Sequence, residues 1–329
     1  MTERIIILEN VDPVIFYGVN NVNMQLVKNL FPKLRIVARG SVIKAIGEES
    51  ETAELEKKIR EMTEHAEKYN RLTEENILDI VKGTPTTELK RDDVIIYGMN
   101  GKPISGRTPN QQKLVEEFTK NDLTFALGPA GTGKTYIAIA LAVRALKNRE
   151  ARKIILSRPA VEAGEKLGFL PGDMKDKIDP YLQPLYDALE DMVPAMKLRE
   201  YMETKVIQIA PLAFMRGRTL NDAIIVLDEA QNTTTHQIKM FMTRLGMNAK
   251  MIITGDITQI DLPRSTTSGL IQAMHVLKDV KGIGRVEFTK KDIVRHQLVQ
   301  RIVEAYEKFD TERKEEQLKE EDATTKTEE

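Results

Sequence analysis

Short apolar runs alternate with amphipathic stretches over the larger part of the chain. Between about residues 108 and 309, six apolar runs are separated by patterns typical of helices. We predict strands at 123–127, 153–157, 206–209, 223–227, 251–254 and 285–288. Apolar runs without polar alternation, each followed by a helix, are typical of a parallel sheet covered on both faces. The pattern therefore predicts an α/β domain with a mostly parallel sheet over residues 108–309.

The first 82 residues carry shorter patterns in the order β-α-β-β-α, which predicts a small α+β N-terminal domain. The order resembles that of small RNA-binding modules of the KH type. The G-x-x-G loop that such modules use to hold a nucleic-acid backbone is absent, since Gly40 and Gly47 stand too far apart. RNA binding is one hypothesis for this domain, and a packing or oligomerisation role is the other.

Two further segments complete the predicted organisation. Residues 83–107 are rich in Gly, Pro and Thr and are interpreted as a linker with a short hairpin around Asn100 and Gly101. Residues 310–329 are almost entirely charged or polar without an aromatic residue, which predicts a disordered acidic tail.

Composition narrows the classes of function. The net charge is −1, so a nucleic-acid partner would need a local basic patch. The absence of cysteine excludes disulfides, thiolate metal sites and cysteine nucleophiles, and the four histidines show no ligand spacing. No apolar run approaches the roughly 20 residues that span a bilayer, and the N-terminus lacks the pattern of a signal peptide. We expect a cytoplasmic protein without a membrane partner.

A glycine-rich loop lies between the predicted strand 123–127 and an alanine-rich helix, and it fits the spacing G-x-x-x-x-G-K-[ST]. Such a loop directs its backbone N–H groups at phosphate oxygens, at the positive end of the helix. Lys134 is predicted to reach the β and γ phosphates, and the Thr135 hydroxyl to bind Mg²⁺. The predicted nucleotide-binding residues are Gly128, Pro129, Ala130, Gly131, Thr132, Gly133, Lys134 and Thr135.

Two more apolar strands run into polar residues that fit the same site. Asp228 and Glu229 follow the strand 223–227, where Asp228 would hold Mg²⁺ through water and Glu229 would polarise the attacking water. Gln259 lies in the segment after the strand 251–254, with Asp256 beside it, and is a predicted sensor of the γ phosphate. Carboxyl ends of parallel strands share one edge of a sheet, which predicts that these residues meet.

A glutamine upstream of the loop is predicted to select the base. Thr108 can cap a helix that has Pro109 in its first turn, which places Gln111 near the base pocket. An amide can donate to adenine and accept from it at once, which favours ATP over GTP. Gln112 is the less favoured alternative.

Together these motifs resemble the first RecA-like domain of superfamily 1 helicases, and the match to the PhoH-like family is closer. The family's typical stretches correspond here to SRPAVEAGEKLGFLPG at 157–172, PLAFMRGRT at 211–219 and DIVRHQLV at 292–299. The resemblance covers about residues 100 to 309 and implies a RecA-like P-loop fold. It also implies ATP with Mg²⁺ as ligands, ATPase activity, links to RNA metabolism and phosphate starvation, and a homo-oligomeric ring such as a hexamer. Relatives of this kind are associated with endoribonuclease or ribosome-maturation partners.

True helicases deliver arginines to the γ phosphate from a second RecA-like domain, for which this sequence shows no pattern after residue 309. A neighbouring subunit would then supply them, with Arg295 as the first choice and Arg244 and Arg301 as alternatives. Single-stranded RNA would need cations and aromatic rings near the ATP-coupled loops. The side chains considered for RNA are Arg158, Lys166, Arg216, Arg218, Phe169 and Phe214.

Three functions follow from this interpretation. The leading one is an RNA-associated ATPase that works as a ring. The second is a nucleotide-gated scaffold that recruits an RNA-processing enzyme and hydrolyses slowly. A small-molecule kinase is the least supported of the three. Its acceptor would have to bind at Arg149, Arg152 and Lys153, and a solvated helix end explains these residues.

Overall fold

The computed structural model describes residues 2–83, 94–159, 174–263 and 265–294, and the pairs 298–299, 301–302 and 305–306. For the first turns of the helix that begins at Met174, only the backbone up to residue 179 is described.

The N-terminal domain, residues 2–83, is a three-stranded antiparallel sheet in the order β1-β3-β2, packed against helices. Its elements are β1 Thr2–Ile7, α1 Pro13–Tyr17, α2 Val22–Leu30, β2 Arg35–Arg39, β3 Val42–Gly47, α3 Glu49–Tyr69 and α4 Glu74–Lys82. The pattern-derived elements are all present. Helices α1 and α4 were not predicted, although Asp12 caps α1, and Thr73 and Asn76 form a capping box at the start of α4.

A hairpin joins the N-terminal domain to the rest of the chain. Strands β4 Val94–Tyr97 and β5 Pro103–Ser105 pair antiparallel, and Asn100 and Gly101 between them have positive φ. Its apolar side chains Ile95, Ile96 and Ile104 are buried in the core that follows. The hairpin is therefore a packed wall of the neighbouring domain as well as a connection.

The large domain, residues 94–294, contains a six-stranded sheet in the order β11-β6-β10-β9-β7-β8, with every pair parallel. The strands are β6 Leu123–Leu127, β7 Lys153–Arg158, β8 Ile207–Pro211, β9 Ala223–Leu227, β10 Lys250–Gly255 and β11 Ile283–Glu287. The helices are α5 Pro109–Lys120, α6 Lys134–Lys147, α7 Met174–Glu190, α8 Ala195–Glu203, α9 Thr235–Met242 and α10 Gly269–Val276.

Successive residues of the strands point to opposite faces of the sheet, and each face has its own core. In β9, Ile224 and Val226 join the core beneath α5, α6, α7, α8 and the hairpin, whereas Ile225 and Leu227 join the core beneath α9 and α10. Every residue of β6 and β9 is buried, which explains why these strands are continuous apolar runs.

The architecture confirms the predicted fold class, a RecA-like P-loop domain with a parallel sheet. The antiparallel sheet supports the small α+β unit before it. Strand β10 lies between β6, which leads into the glycine loop, and β9, which leads into Asp228. In the part of the chain that the structure describes, no helix has the length and apolar character needed to cross a bilayer.

Candidate functional site

The predicted chemical residues meet at one edge of the sheet, where β6, β7, β9 and β10 end. Backbone hydrogen bonds join these ends, since the Gly128 N–H donates to the Gly255 carbonyl and the Asp228 N–H donates to the Ser157 carbonyl. Carboxyl ends of parallel strands are where ligands bind in open α/β sheets.

The glycine loop depends on two backbone positions that a side chain would disturb. Gly128 has φ 142°, and a Cβ there would lie 2.4 Å from the Phe288 carbonyl oxygen. Gly133 has φ 78° and caps the N-terminus of α6, which directs the first N–H groups of that helix into the loop. The glycines thus allow the loop to curve around the space that a phosphate group would occupy.

Lys134 lies inside this loop and is only 8% exposed. Its Nζ donates to the Gly128 carbonyl at 2.6 Å and to the Pro129 carbonyl at 2.8 Å. Burial lowers the pKa of Lys134, and the carboxylates of Asp256, Asp228 and Glu229 partly oppose that effect. A phosphate anion in the loop would supply the charge partner that the ammonium lacks among its carbonyl contacts.

Thr135 and Asp228 form the pair that could hold a metal ion. The Thr135 hydroxyl donates to Asp228 Oδ1 at 2.6 Å, and the Thr254 hydroxyl donates to the same oxygen at 2.6 Å. Asp228 is 5% exposed. Hydroxyl and carboxylate oxygens are hard donors of the kind that Mg²⁺ takes, usually with several waters, so the residues present fit this ion.

Glu229 follows Asp228 with a left-handed backbone, φ 54° and ψ 38°. This backbone conformation costs free energy in a residue other than glycine. It is therefore found mostly at functional sites, where the surrounding structure holds it in place. One carboxylate oxygen, Oε1, accepts from Arg158 Nη2 at 3.0 Å. The other, Oε2, accepts from the Gln231 amide. Two donors thus fix the carboxylate beside the loop.

Gln231 has a role that sequence reasoning missed. It is the last residue of the Asp-Glu-Ala-Gln box, residues 228–231. The residue is fully buried. Its Nε2 donates to Glu229 and to the Gln259 carbonyl, and its Oε1 accepts from the Asp256 N–H at 3.0 Å. One amide therefore connects the end of β9 to the segment after β10.

Asp256 and Gln259 lie where the sequence predicted them, after β10. Asp256 Oδ2 accepts from the Ala130 N–H at 3.0 Å, and its Oδ1 accepts from the Thr258 N–H at 2.9 Å. Gln259 is exposed and lines a cavity together with Lys134 and Asp228. The segment after β10 is thus tied directly to the glycine loop.

Two cavities lie on either side of the glycine loop. The loop cavity, about 590 Å³, is lined by Lys134, Thr135, Asp228 and Glu229 among others. The glutamine cavity, about 290 Å³, is lined by Gln111, Tyr136, Ile137 and residues of the hairpin. Together they offer one polar space for phosphates and one smaller space for a base.

Gln111 is buried between the loop and the start of α5. Its Nε2 donates to the Thr132 carbonyl at 2.9 Å and its Oε1 accepts from the Arg107 N–H at 2.8 Å. The amide has a second N–H and a second lone pair for a ligand. The alternative, Gln112, is exposed and donates to the Gly106 carbonyl at 3.1 Å. The structure therefore favours Gln111.

The three arginines predicted as fingers differ in their surroundings. Arg295 lies outside the described residues, and Arg301 is exposed. Arg244 donates from Nε to the Met240 carbonyl and from Nη1 to the Arg218 carbonyl, each at 3.0 Å. Arg158, considered at first for RNA, lies instead against the carboxylates of the loop cavity.

The other residues predicted to contact RNA either follow β8 or lie outside the residues that the structure describes. Phe214 is 63% exposed and Arg216 is exposed, whereas Arg218 donates to Gln208 Oε1 at 2.8 Å. Lys166 and Phe169 lie outside the described residues. The geometry therefore leaves Phe214 and Arg216 as the accessible pair.

Comparison with solved structures finds distant likenesses. The UvsW helicase of bacteriophage T4 aligns with a TM-score of 0.34 at 15% identity, over 70% of this chain and 77% of that one. The Pif1 helicase of Candida albicans aligns with a TM-score of 0.30 at 11% identity, over 60% of this chain and 42% of that one.

Sequence comparison finds much closer relatives. The family model described as PhoH-like protein matches residues 103–307. A PhoH-like protein of Bacillus subtilis is 48% identical over 84% of this chain and 88% of its own length. Protein PhoH of Escherichia coli K12 is 41% identical over 71% of this chain and 66% of its own length. With the glycine loop, the Asp-Glu-Ala-Gln box and this identity over most of its length, the chain belongs to the PhoH-like protein family.

Proposed function

We propose that this protein binds ATP with Mg²⁺ and hydrolyses it. One observation carries the proposal: Lys134 and Thr135 of the P-loop and Asp228 and Glu229 of a distant segment all line one cavity. Phosphoryl transfer asks the protein mainly for positioning and for stabilisation of charge, and these four residues are the groups that supply both.

Each residue has a distinct task in this scheme. The loop N–H groups and Lys134 would bind the phosphates, and Thr135 and Asp228 would hold Mg²⁺. The bound ion would neutralise charge that develops on the phosphate oxygens. Asp256, which accepts from the Ala130 N–H, keeps the loop fixed to the end of β10.

Glu229 would act as the base in hydrolysis. Its carboxylate would take a proton from water while the water oxygen forms a bond to the γ phosphorus. The bond from that phosphorus to the bridging β–γ oxygen breaks, so that ADP and inorganic phosphate leave. The proton then passes from Glu229 to solvent and the site is restored.

The base of the nucleotide would occupy the glutamine cavity. The free N–H and lone pair of the Gln111 amide match the donor and acceptor edge of adenine. Tyr136 and Ile137 give the cavity an apolar wall. This arrangement supports a preference for ATP over GTP.

We also propose that the protein acts on RNA as a homo-oligomer and works with an RNA-processing enzyme. Phe214 and Arg216 support the RNA part, because both are exposed and an aromatic ring and a cation are the groups that stack on a base and hold its phosphate. The resemblance of the sequence to ring-forming relatives supports the oligomer.

A second candidate function is a nucleotide-gated scaffold with slow turnover. The observation that favours it is that both oxygens of Glu229 already accept hydrogen bonds, from Arg158 and Gln231. A carboxylate occupied in this way is a weaker base until one donor leaves. Such a protein would bind ATP tightly and hydrolyse it rarely.

The deciding experiment measures ATP binding and steady-state hydrolysis with and without single-stranded RNA. Stimulation by RNA that disappears in Glu229→Gln supports the RNA-coupled ATPase. ATP binding with negligible turnover, unchanged by RNA, supports the scaffold. Phe214→Ala with Arg216→Ala should reduce RNA stimulation and leave basal hydrolysis unchanged, and Lys120→Ala on the exposed end of α5 serves as a control. A chain that binds no nucleotide would refute both functions.

A further inference from the structure

The guanidinium of Arg158 lies inside the loop cavity, at the end of β7. Its Nη2 donates to Glu229 Oε1 at 3.0 Å, and its Nε lies 3.8 Å from Asp228 Oδ2. Its Nη1 donates to the Tyr181 carbonyl of α7 at 3.0 Å. The side chain is 21% exposed, so a small opening toward the cavity remains. Sequence reasoning did not place this arginine at the nucleotide.

The loop cavity is lined by more acidic than basic side chains, so each cation in it matters for binding an anion. Among the described residues that line it, Lys134 and Arg158 are the cations. The acidic side chains there are Asp187, Asp191, Asp228, Glu229 and Asp256. A triphosphate adds several negative charges to a cavity that is already acidic. Lys134 lies in the loop, where it donates to the Gly128 and Pro129 carbonyls, and Arg158 at the end of β7 is the second cation of the cavity.

The partners of Arg158 change when ATP is bound in the proposed way. Asp228 would face Mg²⁺ and Glu229 would face the attacking water. That water bridges Glu229 and the γ phosphorus, so the phosphate oxygens lie about one water molecule beyond the carboxylate. A guanidinium 3.0 Å from Glu229 is therefore within reach of those oxygens by rotation of its own side chain. The bond to the Tyr181 carbonyl gives that rotation a fixed pivot on α7.

We propose that Arg158 is a catalytic residue that contacts the γ phosphate in cis and neutralises the charge of the transition state. This inference rests on the proposed ATPase function. It differs from a finger supplied by a neighbouring subunit, because the arginine belongs to the same chain as the glycine loop. The guanidinium keeps all its protons throughout, and its contribution is electrostatic. Arg244 donates to the Met240 and Arg218 carbonyls and is not among the residues that line the loop cavity.

The test compares Arg158→Ala, Arg158→Gln and Arg158→Lys with Arg152→Ala, an exposed arginine just before the start of the same strand. The first readout is the affinity for ADP alone and for ADP with aluminium fluoride, a mimic of the transferring phosphoryl group. Glutamine removes the charge and is shorter than arginine but stays polar, so it provides a second variant if Arg158→Ala fails to fold.

We expect Arg158→Ala and Arg158→Gln to lose most of the extra affinity that aluminium fluoride gives, and kcat to fall about a hundredfold or more. Affinity for ADP alone should stay within about threefold, and Arg158→Lys should fall between wild type and alanine. Arg152→Ala should match wild type in both measurements.

Three results would overturn the inference in distinguishable ways. Full retention of the aluminium fluoride effect in Arg158→Gln would show that the guanidinium does not contact the phosphoryl group. Turnover faster than wild type in the same variant would show that Arg158 restrains Glu229. A wild-type protein that neither binds nor hydrolyses ATP would remove the proposed function itself, and the role of Arg158 with it.

Discussion

Helix α6 has a buried lysine at its first end and a partly buried lysine at its last end, and the two lysines serve different purposes. At the first end, Lys134 donates to the carbonyls of the glycine loop. At the last end, Lys147 donates to Asn70 Oδ1 at 3.1 Å and to the Glu67 carbonyl at 3.3 Å, in the N-terminal domain. Burial lowers the pKa of both, that of Lys147 to about 8.

The surroundings of the two ammonium groups explain the difference. Lys134 opens into a cavity with three carboxylates nearby, where a ligand can approach. Lys147 also lines a cavity, but its ammonium donates to Asn70, whose Nδ2 donates to the Tyr97 carbonyl at 2.7 Å and to the Met192 carbonyl at 3.1 Å. A lysine withdrawn from solvent therefore indicates chemistry only where the groups around it also fit a ligand, as the glycine loop does around Lys134. At the last end of α6 the ammonium joins two domains.

The largest effect should come from Lys134→Met, which keeps the length of the side chain and removes its charge. We expect ATP turnover to fall at least about a thousandfold, because the β and γ phosphates lose their buried cation. The free energy of unfolding should stay equal or rise, since the burial that lowers the pKa of Lys134 also disfavours the charged form. Turnover and chemical denaturation measure the two effects. A large loss of stability would mean that Lys134 supports the loop rather than the ligand.

The next effect belongs to Glu229→Gln. Removal of the base should lower kcat by about two to three orders of magnitude, while the affinity for ATP changes little. Steady-state kinetics and equilibrium titration with a fluorescent ATP analogue separate the two. An equal loss in binding would place Glu229 among the residues that hold the nucleotide and would argue against its role as a base.

A smaller effect is expected at the base. Gln111→Ala should weaken ATP binding about tenfold and reduce the preference for ATP over GTP, because the base loses an amide that donates and accepts. Gln112→Ala, at the neighbouring exposed position, should leave both unchanged. Competition binding with the two nucleotides provides the measurement, and equal effects of the two substitutions would refute the assignment.

The smallest effect on activity should come from Lys147→Met, which should change turnover less than about twofold. Its effect is expected on stability. Between pH of about 8 and 10.5, the unfolded chain holds a proton on Lys147 that the folded chain has released, so the stability of the wild type rises with pH in this window. Relative to the variant, the wild type should gain about 2 kcal/mol between pH 7.5 and 9.5. Denaturation at both pH values checks this, and a parallel pH dependence in the two proteins would contradict it.

The fold was largely predictable because apolar runs and the spacing of the glycine loop are local signals. Strands β6 and β9 lie where the pattern placed them, since every residue in them is buried. The loop, Thr135 and Asp228 could be placed together because parallel strands share one edge.

Other parts of the site depend on contacts between distant segments, which no local pattern records. The bond from Arg158 to the Tyr181 carbonyl requires the packing of α7 on β7. The three contacts of Gln231 require the exact register of β9 beside β10. The positive φ of Glu229 likewise follows from the folded strand end rather than from its residue type.

The hairpin sets a practical boundary for dissecting the molecule. The match to the family model begins at residue 103, inside the hairpin and at the first of the three residues of β5. A fragment that starts there would leave β5 without its partner strand and would uncover the core that Ile95 and Ile96 cover. The same cut would remove β4, whose partner strand β5 lines the glutamine cavity. The shortest piece that keeps the hairpin and the glutamine cavity intact therefore has to begin at or before residue 94.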